Sequence, residues 1–314
     1  MARETLELNR FVGTWTLLII GIVGISTSTL WIRLGTAQGD LDEVQMAFLR
    51  LALAIPILWL LGKREKPVPL KCSGSSILIA GVCLALHFGA WMASLAYLSV
   101  ATSVVLVYLH PVIIYAIEVL RGRTTLKVSC IGGVLLTLSG TTILAMFAED
   151  SGQSAQSDHR IWGMGLSVIG SLAFVGYLLA GRSATQQMPT VTYATRAYAV
   201  AAFGLLIWLF SIGSKVVPET GLGWGYAALL ALFPTLLGHT PLNAALKRLP
   251  PTVVSTTYLG EMAGAPLLVW LVIQEAPPTS FWIGGPLVVA GIMIVARNSE
   301  KLVEESEKPD SGSQ

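Results

Sequence analysis

Six ionisable side chains stand inside otherwise apolar stretches of this sequence: Arg50, His87, His110, Arg196, His239 and Glu261. A charge or an imidazole at bilayer depth is costly, so each marks a candidate functional position. A carboxylate beside imidazoles could bind a cationic group or carry a proton near neutral pH. Spacing sorts these residues further. His87, Trp91 and Ser94 stand at i, i+4 and i+7, on one face of a helix. Thr235, His239 and Asn243 form a second stripe, and Thr257, Tyr258 and Glu261 a third. The plainer alternative for all three stripes is hydrogen-bonded glue between helices.

Arg50 and Arg196 read as gate residues, snorkelling anchors or anion contacts, and the structural role is favoured because they fall near opposite faces. Glu118 reads as interfacial, beside Arg121 and Arg123. The run Ser26, Thr27, Ser28, Thr29 could line a pathway or weaken its helix. Prolines at 56, 111, 234, 241, 266 and 286 lie inside apolar runs, where kinks free backbone carbonyls to line a cavity. Other chemistries find little footing. Cys72, Cys83 and Cys130 have no metal-ligand spacing. No phosphate-binding loop is present, so no metal, cofactor or direct use of ATP is expected.

The elements that position these residues are membrane helices. The 314 residues are 54% hydrophobic and only 12% charged, with a mean hydropathy of +0.69. Soluble domains run nearer a quarter charged. The balance excludes a disordered chain, a disulfide scaffold and a nucleic-acid binder, and leaves no room for a soluble catalytic domain. Apolar runs fall at about 13–34, 43–61, 74–97, 100–118, 127–147, 161–181, 190–211, 222–246, 252–274 and 281–297. They predict an all-α integral membrane protein of ten transmembrane helices. The third and fourth runs are separated by a stretch without charge, Leu98 to Thr102.

With the N-terminus inside, 15 Lys and Arg fall on the cytoplasmic side and three, Arg33, Arg160 and Lys215, on the other. This asymmetry predicts both termini in the cytoplasm. The connector from Glu149 to Arg160 then divides the chain into halves of five spans, 1–150 and 151–314, the second ending in a short acidic tail. An odd number of spans per half inverts the second half, so related halves would be inverted repeats. They do look related. A shift of 151 pairs Gly133 with Gly284, Gly140 with Gly291 and His110 with Glu261; a shift of 146 pairs Gly24 with Gly170, Trp31 with Tyr177 and Arg50 with Arg196.

Two stretches resemble a known family. HFGAWMASLAYLSVATS from His87, followed by His110 and Pro111, and LGHTPLNAALKRLPPTVVSTTYLGE from Leu237, followed by Gln274 and Glu275, are similar to EamA-type members of the drug/metabolite transporter superfamily. The resemblance implies a ten-helix inverted-repeat carrier in the cell membrane that moves small metabolites, often outward, by alternating access. It departs in two places: Glu261-Met262 stands where Glu-Pro is common, which would displace the kink toward Pro266, and Arg121, Gly122, Arg123 stand where a Gly-Glu pair is common.

The expected function is a secondary transporter whose pathway uses His87, Trp91, Ser94, His110, Tyr177, His239, Asn243, Tyr258 and Glu261. Trp91 and Tyr177 would wall the solute, His239 and Asn243 orient it, and Glu261 with His110 bind an ammonium or a proton. Its partners would be a small solute such as an amino acid, the lipid bilayer and protons, with the protein a monomer or homodimer. The rival is a membrane-embedded enzyme or lipid-handling protein using His and Glu as acid and base. A non-specific channel is disfavoured for want of a recognisable filter.

Overall fold

The computed structural model describes residues 2–65, 69, 74–94, 97–98, 100–146, 160–274, 276–277 and 279–307. The Glu149 to Arg160 connector up to residue 159, Cys72 and Glu275 lie outside the described residues. Those described are mostly helical, joined by turns, bends and short irregular connections, with no strand among them. Eight helices among them are long and apolar enough to cross a membrane, and Val128–Leu144 is a shorter apolar helix. Large apolar side chains such as Ile19, Leu60, Leu78, Phe203 and Leu271 are exposed on the outside of the bundle. A surface of that kind suits lipid rather than water. The chain is a multi-pass membrane protein.

Helices α1 (Ala2–Ser26) and α2 (Ser28–Gln38) occupy the first apolar run, and α3 (Glu43–Gly62), α4 (Gly74–Ser94) and α7 (Val128–Met146) the second, third and fifth. The fourth run divides into α5 (Val100–Val107) and α6 (His110–Leu120). After the connector come α8 (Arg160–Gln187) and α9 (Thr190–Ile212). The eighth run is α10 (Gly221–Leu230), a π segment (Ala231–His239) and α11 (Thr240–Ala245); the ninth is α12 (Pro251–Tyr258) and α13 (Glu261–Ile273); the tenth is α14 (Phe281–Glu307).

Several runs expected to be single helices are therefore interrupted, each with a local cause. At Thr27 the hydroxyls of Ser26 and Thr27 bond back to the carbonyls of Ile22 and Gly24, a competition that loosens a helix. The π segment surrounds Pro234, which lacks an N–H to donate. The α5–α6 break falls at Tyr108 and Leu109 with Pro111 in the first turn of α6, and the α12–α13 break at Leu259 and Gly260. These two breaks are 151 positions apart, the same shift that pairs His110 with Glu261. Pro266 lies inside α13.

Packing follows the small residues. A Cβ on Gly140 would stand 2.6 Å from the Gly284 carbonyl oxygen, and one on Gly291 would stand 2.5 Å from that of Gly133. Only glycine allows α7 and α14 to approach so closely. Position numbers rise along α7 as they fall along α14 across these contacts, so the two helices are antiparallel. The shift of 151 carries 133 to 284 and 140 to 291, and so turns one glycine contact into the other. Gly24 packs on the Gly238 backbone, joining α1 to the π segment, while Gly170 packs on the His87 and Trp91 backbone, joining α8 to α4. Helix α3 packs along α9.

Candidate functional site

The elements that surround one small central cavity are α2, α3, α4, the α5–α6 break, α8, the π segment and the α12–α13 break. Its lining includes Ser28, Arg50, His87, Phe88, Trp91, Tyr108, His110, Phe174, His239, Tyr258 and Glu261. Water-accessible space inside is about 30 Å³. That holds one or two waters, not a metabolite, so a solute can enter only if the lining moves apart. A larger open depression of about 520 Å³, bordered by Asp40, Asp42, Glu43 and Lys215, lies where the α2–α3 turn meets the end of α9.

Each ionisable group in the cavity has a defined setting. Arg50 donates from Nε to Thr235 Oγ1 at 2.9 Å, and its guanidinium lies 5.0 Å from the centre of the Phe88 ring. Tyr108 donates its hydroxyl to Glu261 Oε2 at 3.1 Å. Glu261 opens α13, where a helix N-terminus favours an anion. His87 Nδ1 is 2.9 Å from the Gly170 carbonyl oxygen, and the His87 ring stacks on Trp91 at 5.9 Å. His239 Nδ1 and the Tyr258 hydroxyl share a hydrogen bond of 3.2 Å. Phe174 packs 4.6 Å from both His87 and His110, and 4.9 Å from Tyr258, which makes it the hub of an aromatic wall. His110 Nδ1 is buried without a hydrogen bond.

Six of the nine residues expected in the pathway line this cavity: His87, Trp91, His110, His239, Tyr258 and Glu261. Three do not. Ser94 joins a chain of hydroxyls with Ser103 at 2.6 Å and onward to Ser167 at 3.1 Å, tying α4 to α5 and α8. Tyr177 donates to Asn243 Oδ1 at 2.8 Å, and Asn243 donates from Nδ2 to Tyr198 at 3.2 Å. The π segment explains why Asn243 leaves the expected stripe with Thr235 and His239. One residue more per turn rotates the downstream residues by about 100°, the angle per residue of an α-helix.

Of the two arginines inside apolar runs, Arg50 lines the central cavity, whereas Arg196 is not among its lining residues. Counting residues from a helix end gives depth, but only the packing of α3 against α4 and the π segment shows where the side chain turns. Glu118, at the end of α6, has Arg123 and Arg182 near enough to act on it electrostatically. It is 5% exposed and accepts hydrogen bonds from the Thr252 N–H and hydroxyl at the start of α12. Tyr108, Phe88 and Phe174 carry no sign in the sequence, because an aromatic residue in an apolar run suits a cavity wall and a core equally well. The 151 shift between the two broken helices is the signal that could have found Tyr108.

A solved crystal structure, described only as that of a protein, is similar in fold, with a TM-score of 0.75 over 92% of this chain and 98% of the other at 18% identity. No match is found among curated protein sequences. The family model described as the EamA-like transporter family matches residues 13–146 and again residues 161–297. Two matches that together span most of the chain carry the conclusion that this protein belongs to the EamA-like transporter family.

Proposed function

We propose that the protein is a secondary transporter that moves a small metabolite by alternating access through the central cavity. The carrying observation is that cavity itself, built where two helices break at positions 151 apart and lined by Arg50, Glu261 and three histidines. Broken helices at mid-membrane present polar backbone and side chains to a solute without exposing them to lipid. Because the cavity is too small for a solute as packed, binding requires a second arrangement of the same helices.

The architecture that supports this reading is ten spans in two inverted repeats, 1–150 and 151–314. The glycine contacts of α7 with α14 map onto each other under the 151 shift, as a pseudo-twofold interface requires. The pairings of α4 with α8 and of α1 with the π segment are related in the same way. Within the cavity, Trp91, Tyr258 and Phe174 wall the solute and His87, His110 and His239 offer hydrogen bonds. Tyr177, Asn243 and Ser94 act from behind, holding that wall in place. Arg196 stays structural. Family membership favours transport over the membrane-enzyme alternative.

Efflux of compounds such as amino acids across the cell membrane, with both termini cytoplasmic, is the specific form we favour. Glu261 is its proton carrier. In proteoliposomes, a pH gradient should accelerate solute flux, and Glu261→Gln should abolish that acceleration. Flux indifferent to the gradient, with full transport by the variant, would remove proton coupling.

A further inference from the structure

We infer that the α6–α7 turn, with the end of α14, is a docking surface for an anionic phospholipid, whose phosphate sits among Arg121, Arg123 and Arg297 while an acyl chain lies along α7. This surface is separate from the central cavity. Lipid binding to it is measured without any solute, so its failure would leave the transport reading untouched.

The turn is short and firmly built. Helix α6 ends with the Gly122 N–H donating to the Val119 carbonyl and the Arg123 N–H to that of Glu118, both at 2.9 Å. Gly122 takes φ +64°, the left-handed conformation that closes a helix in this way. From beneath, the Tyr115 hydroxyl accepts from the Lys127 N–H at 2.9 Å and donates to the Thr125 carbonyl at 3.3 Å. Arg121 and Arg123 are therefore displayed from a fixed backbone. Ser129 Oγ donates to Asn298 Oδ1 at 3.0 Å, and Tyr115, Val119, Cys130, Val295 and Ala296 pack in one cluster. Arg297, which follows Ala296, belongs to the same corner of the bundle.

Charge and apolar surface coincide there. Arg121, Arg123 and Arg297 are exposed, and among the described residues none of them is ion-paired with a carboxylate. Glu118 acts on Arg123 electrostatically but is buried and engaged by Thr252. Leu120 and Val128, which flank the turn, are each 85% exposed, and Leu126 within it is 67% exposed. Because the turn joins two apolar helices, it lies at the depth of the lipid headgroups. Along α7, Val128, Gly132 and Leu135 stand at i, i+4 and i+7 and are exposed, with open space over Gly132. Guanidinium groups above an aliphatic face match a phosphate carried on an acyl chain. A soluble anion would leave the aliphatic side chains uncovered, and a zwitterionic lipid would bring a second cation to the arginines.

The test is native mass spectrometry of the full-length protein in neutral detergent, offered an equimolar mixture of phosphatidylglycerol and phosphatidylcholine with the same chains. Phosphatidylglycerol should be retained about tenfold in excess, and Arg121→Gln/Arg123→Gln should remove most of that preference, since each cation at an anionic surface is worth roughly fivefold. Lys63→Gln/Arg64→Gln, which removes as much charge at the end of α3, should leave it unchanged. Equal retention of both lipids by the wild type overturns the proposal. So does an equal loss in the two variants, which would make the preference a matter of net charge alone. The acidic stretch from Glu300 is the rival occupant: a preference that emerges only in Glu300→Gln/Glu304→Gln/Glu305→Gln assigns the arginines to that stretch and overturns the proposal as well. If the arginine variant fails to fold, rising ionic strength on the wild type decides it, because a preference indifferent to salt is not carried by exposed guanidinium groups.

Discussion

The polar residues of the bundle divide into those that face the cavity and those that hold its wall, and Asn243 shows the second role clearly. It is fully buried and joins Tyr177 and Tyr198, and Tyr198 in turn lies 3.5 Å from Thr240 Oγ1. Removing the amide leaves two tyrosine hydroxyls buried, at about 1–3 kcal/mol for each group that finds no other partner. Asn243→Leu should therefore lower thermal stability in detergent by several degrees. Solute preference should be retained in whatever fraction folds, because the amide does not touch the cavity. A variant of unchanged stability and altered preference would place Asn243 in the binding site after all. Of the cavity residues, the histidines and Glu261 are legible in the sequence because charge in an apolar run is conspicuous. Tyr108 and Phe174 are not, since hydropathy alone does not distinguish one buried ring from another.

Among the helices, close approach and interruption shape the bundle. Helices α7 and α14 meet through Gly133, Gly140, Gly284 and Gly291, whereas a Cβ on Gly132 would meet nothing within 4 Å. Gly140→Ala should destabilise the fold by about 1–3 kcal/mol through overpacking against the α14 backbone. Gly132→Ala, one face away, should be neutral or slightly stabilising because alanine favours the helix. Thermal unfolding of the pair decides it, and equal effects would count against a glycine-dependent crossing. Most run boundaries read from hydropathy fall within a few residues of the helix ends, but α1 begins at Ala2, well before 13, and α8 and α14 continue to Gln187 and Glu307, past 181 and 297. The break at Tyr108 leaves no mark in hydropathy, because apolar side chains continue through it while the backbone changes course, whereas the break at Thr27 falls in the conspicuous run Ser26, Thr27, Ser28, Thr29.

Across the whole molecule, hydrogen-bonded clasps join the ends of helices from the two halves. Glu118 accepts from Thr252, Glu65 accepts from the Thr192 N–H and hydroxyl, and Ser214 donates to Asp42, the N-cap of α3. Alternating access would release clasps on one side while those on the other hold. The inverted arrangement has a direct test in reporter fusions. A reporter active only outside the cytoplasm, inserted within residues 149–159, should be active, while fusions at either terminus should be silent. Activity at all three positions, or at none, would overturn five spans per half.

Composition, charge and spacing are enough to place the protein in a membrane, to pair its two halves and to single out the few ionisable groups inside its apolar runs. Hydropathy and charge are properties of residues and survive without coordinates. It takes the packed helices to bring Arg50 into one cavity with Glu261, to set Asn243, Tyr177 and Ser94 behind it, and to leave that cavity nearly closed. Direction within a bundle depends on which helices meet and on where a π turn or a break rotates the chain. One added residue per turn moves a side chain from the cavity to the wall, and no composition or spacing rule registers that change.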